Sequence, residues 1–142
     1  NNSNDKKEKL IIYLLINYPN ESYEKLRAKI GINDIKSETN KAIIKKLYEE
    51  FEKGNINTNS VLDWFEDENI INEITWILAY DFEITEVNKC IEDILKTYGK
   101  EKVIIERNEI IRQLEETGLA PEQKYELEKR LNEIIIQLAK MK

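Results

Sequence analysis

From Thr85 to Thr117 the chain has no proline, and Gly99 alone interrupts a helical pattern. At helical spacing, Val87, Ile91, Ile94, Leu95 and Tyr98 fall within an arc of about 100° before that glycine. After it the apolar positions are Val103, Ile110 and Leu114, roughly opposite the first arc and widened by Ile104 and Ile111. A helix whose apolar stripe changes sides must be covered by two different bodies. The stretch reads either as one long bridging helix or as two helices kinked at Gly99-Lys100. Both place a subdomain boundary there, so the expected organisation is a helical bundle over residues 1–98 and a second subdomain over 99–142.

The rest of the chain is helical by the same criterion, with no alternating run of strand length. A helix is predicted over 6–17, capped by Asp5, with Glu8 completing a capping box. Its run Leu10–Ile16 is apolar on nearly all faces, as in a helix central to a core, and Tyr18-Pro19 ends it. A second helix is predicted over 22–30, with Ser22 as N-cap and Gly31 as the stop. Residues 32–37 read as a loop with at most a short turn. A helix over 38–53 carries Ile43, Ile44, Leu47, Tyr48 and Phe51 on one face and stops at Gly54. A polar turn over 55–59 and a short helix over 60–65 follow. The helix expected over 67–80 turns Ile70, Ile71, Ile74, Ile77 and Leu78 inward. Trp64 and Trp76 read as core aromatics near a surface.

Thr117-Gly118 ends the bridging segment, and Pro121 sits where a first helical residue is expected. In the last helix, over 121–140, Leu127, Leu131, Ile134, Leu138 and Met141 recur at 4-3-4-3 spacing. With Val103, Ile110 and Leu114 they predict a helical hairpin whose core is Val103, Ile110, Leu114, Leu127, Leu131, Ile134 and Leu138. Tyr125 and Ile136 lie about 140–180° away from that seam, so they cannot face the same partner helix. Such surplus apolar surface needs either the main body or another protein to cover it. A docking face follows, with Tyr125 and Ile136 as anchors and Lys129, Arg130 and Lys140 around them. The fold class is all-α: an N-terminal helical bundle, a long bridging helix and a C-terminal helical hairpin.

Composition narrows the chemistry. There is no His, so the commonest general base and metal ligand are missing, and one Cys allows no internal disulfide. Four Gly are too few for a glycine-rich phosphate loop and further turns. Cys90 has no His to activate it and reads as a small buried residue. No catalytic residue, cofactor or metal is expected. The net charge is −6, and Asp63 to Asp93 holds ten acids against Lys89 alone, a local −9. That sign argues against direct nucleic-acid binding, and Lys41, Lys45 and Lys46 make too small a patch to reverse it. The acidic stretch reads as a solvated face, or as one that meets a basic protein surface. The longest apolar run, Leu10–Ile16, is far too short to span a bilayer. The sequon Asn20-Glu21-Ser22 reads as chance. The start Asn1-Asn2-Ser3-Asn4 reads as the end of an interdomain linker in a longer protein.

The layout resembles a known family. It comprises a buried opening helix with a Tyr-Pro stop, a second helix ending near Gly31 and the run Lys45-Lys46-Leu47-Tyr48-Glu49-Glu50-Phe51-Glu52-Lys53-Gly54. A bridging helix follows, then a charged hairpin from Arg112-Gln113-Leu114-Glu115-Glu116 to Tyr125-Glu126-Leu127-Glu128-Lys129-Arg130-Leu131. Over essentially the whole chain this resembles the C-terminal helicase-binding domain of bacterial DNA primase (DnaG type). The resemblance implies a noncatalytic domain whose hairpin docks on the N-terminal domains of the replicative hexameric DNA helicase. It also implies a bundle that modulates the helicase, and a primer-synthesising, zinc-binding remainder on other domains of the parent enzyme. It implies a bacterial cytoplasmic location at the replication fork and a domain that is monomeric alone. Three other assignments stay open on the residues: the N-terminal oligomerisation domain of the helicase itself, an unrelated dimeric scaffold joined through 127–141, and an acidic nucleic-acid mimic.

Overall fold

The computed structural model describes residues 2–141, with side chains from Asn4 onward. It is all-helical, with no strand among the described residues. The six α-helices are α1 (Asn2–Asn17), α2 (Pro19–Lys29), α3 (Glu38–Glu52), α4 (Glu68–Ala79), α5 (Val87–Leu114) and α6 (Pro121–Lys140). Single turns of 3-10 helix stand at Ile32–Asp34 and Val61–Trp64, the latter within the short helix expected over 60–65. The chain divides into two compact units, Asn1–Leu95 and Lys96–Lys142. The sequence expectation placed the division between residues 98 and 99. Helix α5 runs unbroken through both the unit boundary and Gly99.

In the first unit α1 is the central helix. Ile11, Ile12, Leu14, Leu15 and Ile16 are all buried, and α2, α3 and α4 pack against it. These five apolar residues within six positions span about 200° of the helix circumference, which calls for packing from several neighbours, while Lys6 and Asn17 stay exposed on the remaining side. Ile43, Ile44, Leu47, Tyr48 and Phe51 of α3 are buried as the spacing predicts. The α4 stripe is narrower than expected: Ile74 and Ile77 are buried, whereas Ile70, Ile71 and Leu78 are half-buried. Tyr48 donates its hydroxyl to the Ile30 carbonyl at 3.1 Å, and burial pushes its phenol pKa up. Tyr23, Tyr48, Phe51 and Trp64 form a row of tilted and edge-on ring contacts beside it.

Several polar residues do other work than their spacing suggests. Asp5 lies inside α1, not at its start, because the helix begins at Asn2. Asp5 instead accepts from Lys9 at 2.5 Å and from Asn40 at 2.9 Å. Glu8 does not close a box on α1. It is 1% exposed and accepts from the Lys36 and Ser37 backbone N–H groups and from the Asn40 amide. These bonds fix the chain where it enters α3, whose N-cap Ser37 accepts from the Asn40 N–H. Ser22 is not an N-cap, because Pro19 already opens α2. Its buried hydroxyl bonds the Leu14 and Tyr18 carbonyls, satisfying the end of α1. Gly31 is not a left-handed stop: its φ is −91°, and its N–H donates to the Asp34 carboxylate. Gly54 and Gly118, at φ +92° and +84°, are the positions where glycine's freedom is used.

Glu50 gathers three donors near the end of α3: Asn55 at 3.0 Å, Lys46 at 3.1 Å and Lys53 at 3.3 Å. The Asn55 hydrogen bond, then those of the two lysines, hold its carboxyl at about 2, against an ordinary 4.5. A depressed carboxylate stabilises the fold fully above its unfolded pKa, and that contribution is lost as pH falls through the folded one. Acid titration should therefore remove the Glu50 contribution between about pH 4.5 and 2. Glu50→Gln should flatten the pH dependence of thermal unfolding in that window and leave it unchanged near neutrality.

In the second unit the later part of α5 pairs with α6. Ile110 and Ile134 are buried; Val103, Leu114, Leu127, Leu131 and Leu138 are half-buried. Two helices can enclose only the centre line of a seam, which accounts for this gradient. Pro121 is the first residue of α6, and the Gln123 side chain accepts from the Ala120 N–H at 3.1 Å. Leu131→Ala should cost about 2 kcal/mol, the low end for a leucine truncation because the site is half-buried. Urea unfolding of the variant checks this.

Candidate functional site: the exposed face of the hairpin

A surface that binds another protein shows itself as large apolar side chains left in water. Among the described residues, seven such side chains stand exposed: Ile56, Trp76, Ile105, Ile111, Tyr125, Ile135 and Ile136. Five of them belong to the second unit, which is about a third of the chain. The helical hairpin therefore carries most of the unburied apolar bulk.

Tyr125 is 63% exposed and Ile136 is 57% exposed. They are eleven residues apart on α6, a rise of about 16 Å, and lie within about 20° of each other around the axis. Lys129 and Lys140 are exposed at almost the same angle. The outer face of α6 thus presents Tyr125, Lys129, Ile136 and Lys140 as one strip. Pro121, Glu122 and Glu126 border Tyr125 in a shallow depression.

Arg130 stands apart from that strip. Its guanidinium makes a two-pronged pair with the Glu106 carboxylate of α5, both bonds 2.8 Å, and lies 3.7 Å from Glu133. The hydrogen bond from Arg130 holds the Glu106 carboxyl below its ordinary range, and the pair raises the Arg130 pKa. Arg130 fixes the register of α6 against α5, a fork-to-carboxylate geometry that Lys could not reproduce. Ile105 and Ile135 were not singled out from the sequence. A signal was available: three consecutive isoleucines, Ile134 to Ile136, cannot all enter one seam.

The first unit has its own exposed aromatic group. Trp76 is 49% exposed, not a core residue. It stacks on Tyr80 at 4.8 Å, Tyr80 meets Phe82 at 4.7 Å, and Phe82 meets Tyr13 at 5.1 Å. The Lys9 ammonium lies 5.1 Å from the Trp76 ring centre and 2.7 Å from the Glu73 carboxylate. Of the ten acids between Asp63 and Asp93, nine are exposed and Glu73 is half-buried. Several have local roles: Asp67 caps α4, Glu86 accepts from the Asn88 and Lys89 N–H groups, and Asp81 accepts from the Glu83 N–H.

Cys90 is half-buried, and burial, with Asp93 nearby, pushes its thiol pKa up. Among the described residues no group of three or more Asp, Glu, Cys or His is placed to hold a metal ion. No helix of the described residues is long and apolar enough to cross a membrane. No family model, curated protein or solved structure matches the chain.

Proposed function

We propose that this chain is the helicase-binding domain of a bacterial DNA primase. In this reading the domain is noncatalytic. Its hairpin docks on the N-terminal domains of the replicative hexameric helicase and brings primase to the fork in the bacterial cytoplasm. Primer synthesis belongs to the rest of the parent protein. The helical bundle modulates the helicase, and the domain is monomeric when free. Tyr125 and Ile136 are the anchors, and Lys129 and Lys140 flank them. Arg130 holds the face in shape from the side.

The observation that carries the reading is the excess of exposed apolar side chains on the hairpin. The order of the helices supports it as well, since the resemblance rests on a layout of several helices, a long helix and a final helical hairpin. The acidic exposed stretch of the bundle supports a protein partner over a nucleic acid.

Co-elution on a sizing column tests the assignment. The intact chain should elute with the helicase hexamer, and a form ending at Gly99 should not. Retention by the shortened form would move the contact to the bundle. A stable dimer of the chain alone, joined through the hairpin, would favour the dimeric scaffold instead.

A further inference from the structure

The hairpin has a second surface that the strip of Tyr125 and Ile136 does not include. An open groove of about 320 Å³ runs along one flank between α5 and α6. Lys100, Ile104 and Arg107 line it from α5, and Ile135, Leu138 and Ala139 line it from α6. On the α6 wheel Ile135 is about 100° from Ile136, so the groove and the strip face different directions.

The groove has an apolar floor with one sign of charge on it. Ile104 and Leu138 are half-buried, and Ile135 is 52% exposed. Ala139 keeps the α6 side low, so another backbone can approach closely there. The two charged residues lining the groove are both cations, and no carboxylate lines it among the described residues. The Arg107 guanidinium donates to the neutral Asn108 amide, at 3.1–3.2 Å, which leaves its charge uncompensated by that bond. Lys100 and Arg107 are seven residues apart, two helical turns or about 10 Å along the axis. Ile111, 41% exposed, extends the same flank by one more turn.

We propose that this groove seats an amphipathic helix with acidic flanks, supplied by a partner protein. Charge complementarity selects the occupant: carboxylates two turns apart meet Lys100 and Arg107 while apolar side chains enter between Ile104 and Ile135. A third helix laid into the groove of two packed helices uses the ridge-and-groove geometry already present in the hairpin. The length matches as well. From Lys100 to Ile111 the flank measures about 16 Å, three turns of an incoming helix. The groove is open along its side, unlike the enclosed pockets that hold most of a small ligand's surface. This inference stands on the groove alone and does not depend on the helicase assignment.

The test uses a helix-stabilised peptide with leucines at i, i+3, i+4 and i+7 and flanking glutamates, beside a twin with flanking lysines. Each is titrated into the isotope-labelled intact chain. The glutamate peptide should shift the amide resonances around Lys100, Ile104, Ile135 and Ala139, and should bind about tenfold or more tightly than its twin. Added salt should narrow that difference. The double variant Lys100→Glu with Arg107→Glu should reverse the preference. Ala139→Trp, at an exposed position, should weaken both peptides without altering the circular dichroism spectrum. Equal binding of the two peptides, an unchanged preference in the charge-reversed variant, shifts confined to the Tyr125 strip, or no binding would overturn the proposal. So would displacement of the peptide by anionic lipid vesicles, which would identify the groove as a lipid-facing surface.

Discussion

Replacing Tyr125 and Ile136 together by alanine is expected to weaken helicase binding by about a hundredfold or more and to leave the fold intact. The two halves of that statement come from one observation. Both side chains are more than half exposed, so truncating them removes little from the hairpin's packing. In a complex the same side chains would be desolvated, and single good anchors of this kind are worth about 1–2 kcal/mol or more. Two of them together therefore reach a hundredfold in the dissociation constant. Calorimetric titration gives the affinity, and thermal unfolding of the free variant gives the control. A Tyr125→Ala variant that melts early and binds normally would transfer that residue to the structural core. Lys129→Ala and Lys140→Ala should act mainly on the association rate and its salt dependence, as cations at a rim do.

The largest single effect on stability is expected at Glu8. Its carboxylate is buried and accepts from two backbone N–H groups, at 2.6 Å from Lys36 and 3.2 Å from Ser37, and from the Asn40 amide at 3.0 Å. Glu8→Ala removes the acceptor from two part-buried backbone N–H groups and from one hydrogen of the buried Asn40 amide, whose other bond to Asp5 remains. Each unsatisfied group costs about 1–3 kcal/mol, so a loss of about 3 kcal/mol or more is expected. That is a large fraction of the roughly 5–15 kcal/mol that holds a typical domain folded. Glu8→Gln keeps one acceptor oxygen but turns an NH2 group toward backbone donors, so it should fall between wild type and alanine. Asn40→Ala should cost less, because it leaves both backbone bonds to Glu8 in place. Chemical denaturation of the three variants would test the order. A Glu8→Ala protein as stable as wild type would mean that water replaces the carboxylate.

Glu8 also shows where sequence patterns stop being informative. Its partners lie 28 to 32 residues away, whereas capping rules look three or four residues ahead. The same limit affects Ser22, whose hydroxyl reaches back to the Leu14 carbonyl of the preceding helix. It affects Thr58 too, which bonds the Ile16 carbonyl from a distant loop. By contrast, α3 and α6 are legible almost to the residue. Their apolar stripes are long, their ends carry Ser37, Gly54 and Pro121, and these local signals agree with burial. Trp76 was misplaced for a different reason. It sits beside Ile77 in sequence, but about 160° from Ile74 around α4, so the wheel itself turns it away from the core. Hydrophobic bulk suggested burial; stacking on Tyr80 and the Lys9 ammonium instead hold it at the surface.

The candidate site was partly legible. Tyr125, Ile136, Lys129 and Lys140 follow from the angular mismatch with the hairpin seam, and the structure places all four on one exposed face of α6. Arg130 could not be assigned that way, because its role depends on Glu106 of the facing helix, 24 positions away. The flank groove depends on how α5 and α6 lie side by side, which periodicity within either helix does not specify.

Docking on the helicase is decided by titrating the intact chain into the assembled replicative helicase hexamer, followed by calorimetry at several temperatures. A saturable complex with a negative binding heat capacity is expected, as burial of the Tyr125–Ile136 strip requires. The double alanine variant should lose that complex while keeping its own melting temperature. A chain that forms no complex with the hexamer at concentrations of about 100 μM, or one whose binding the double variant leaves unchanged, would contradict helicase docking through that strip.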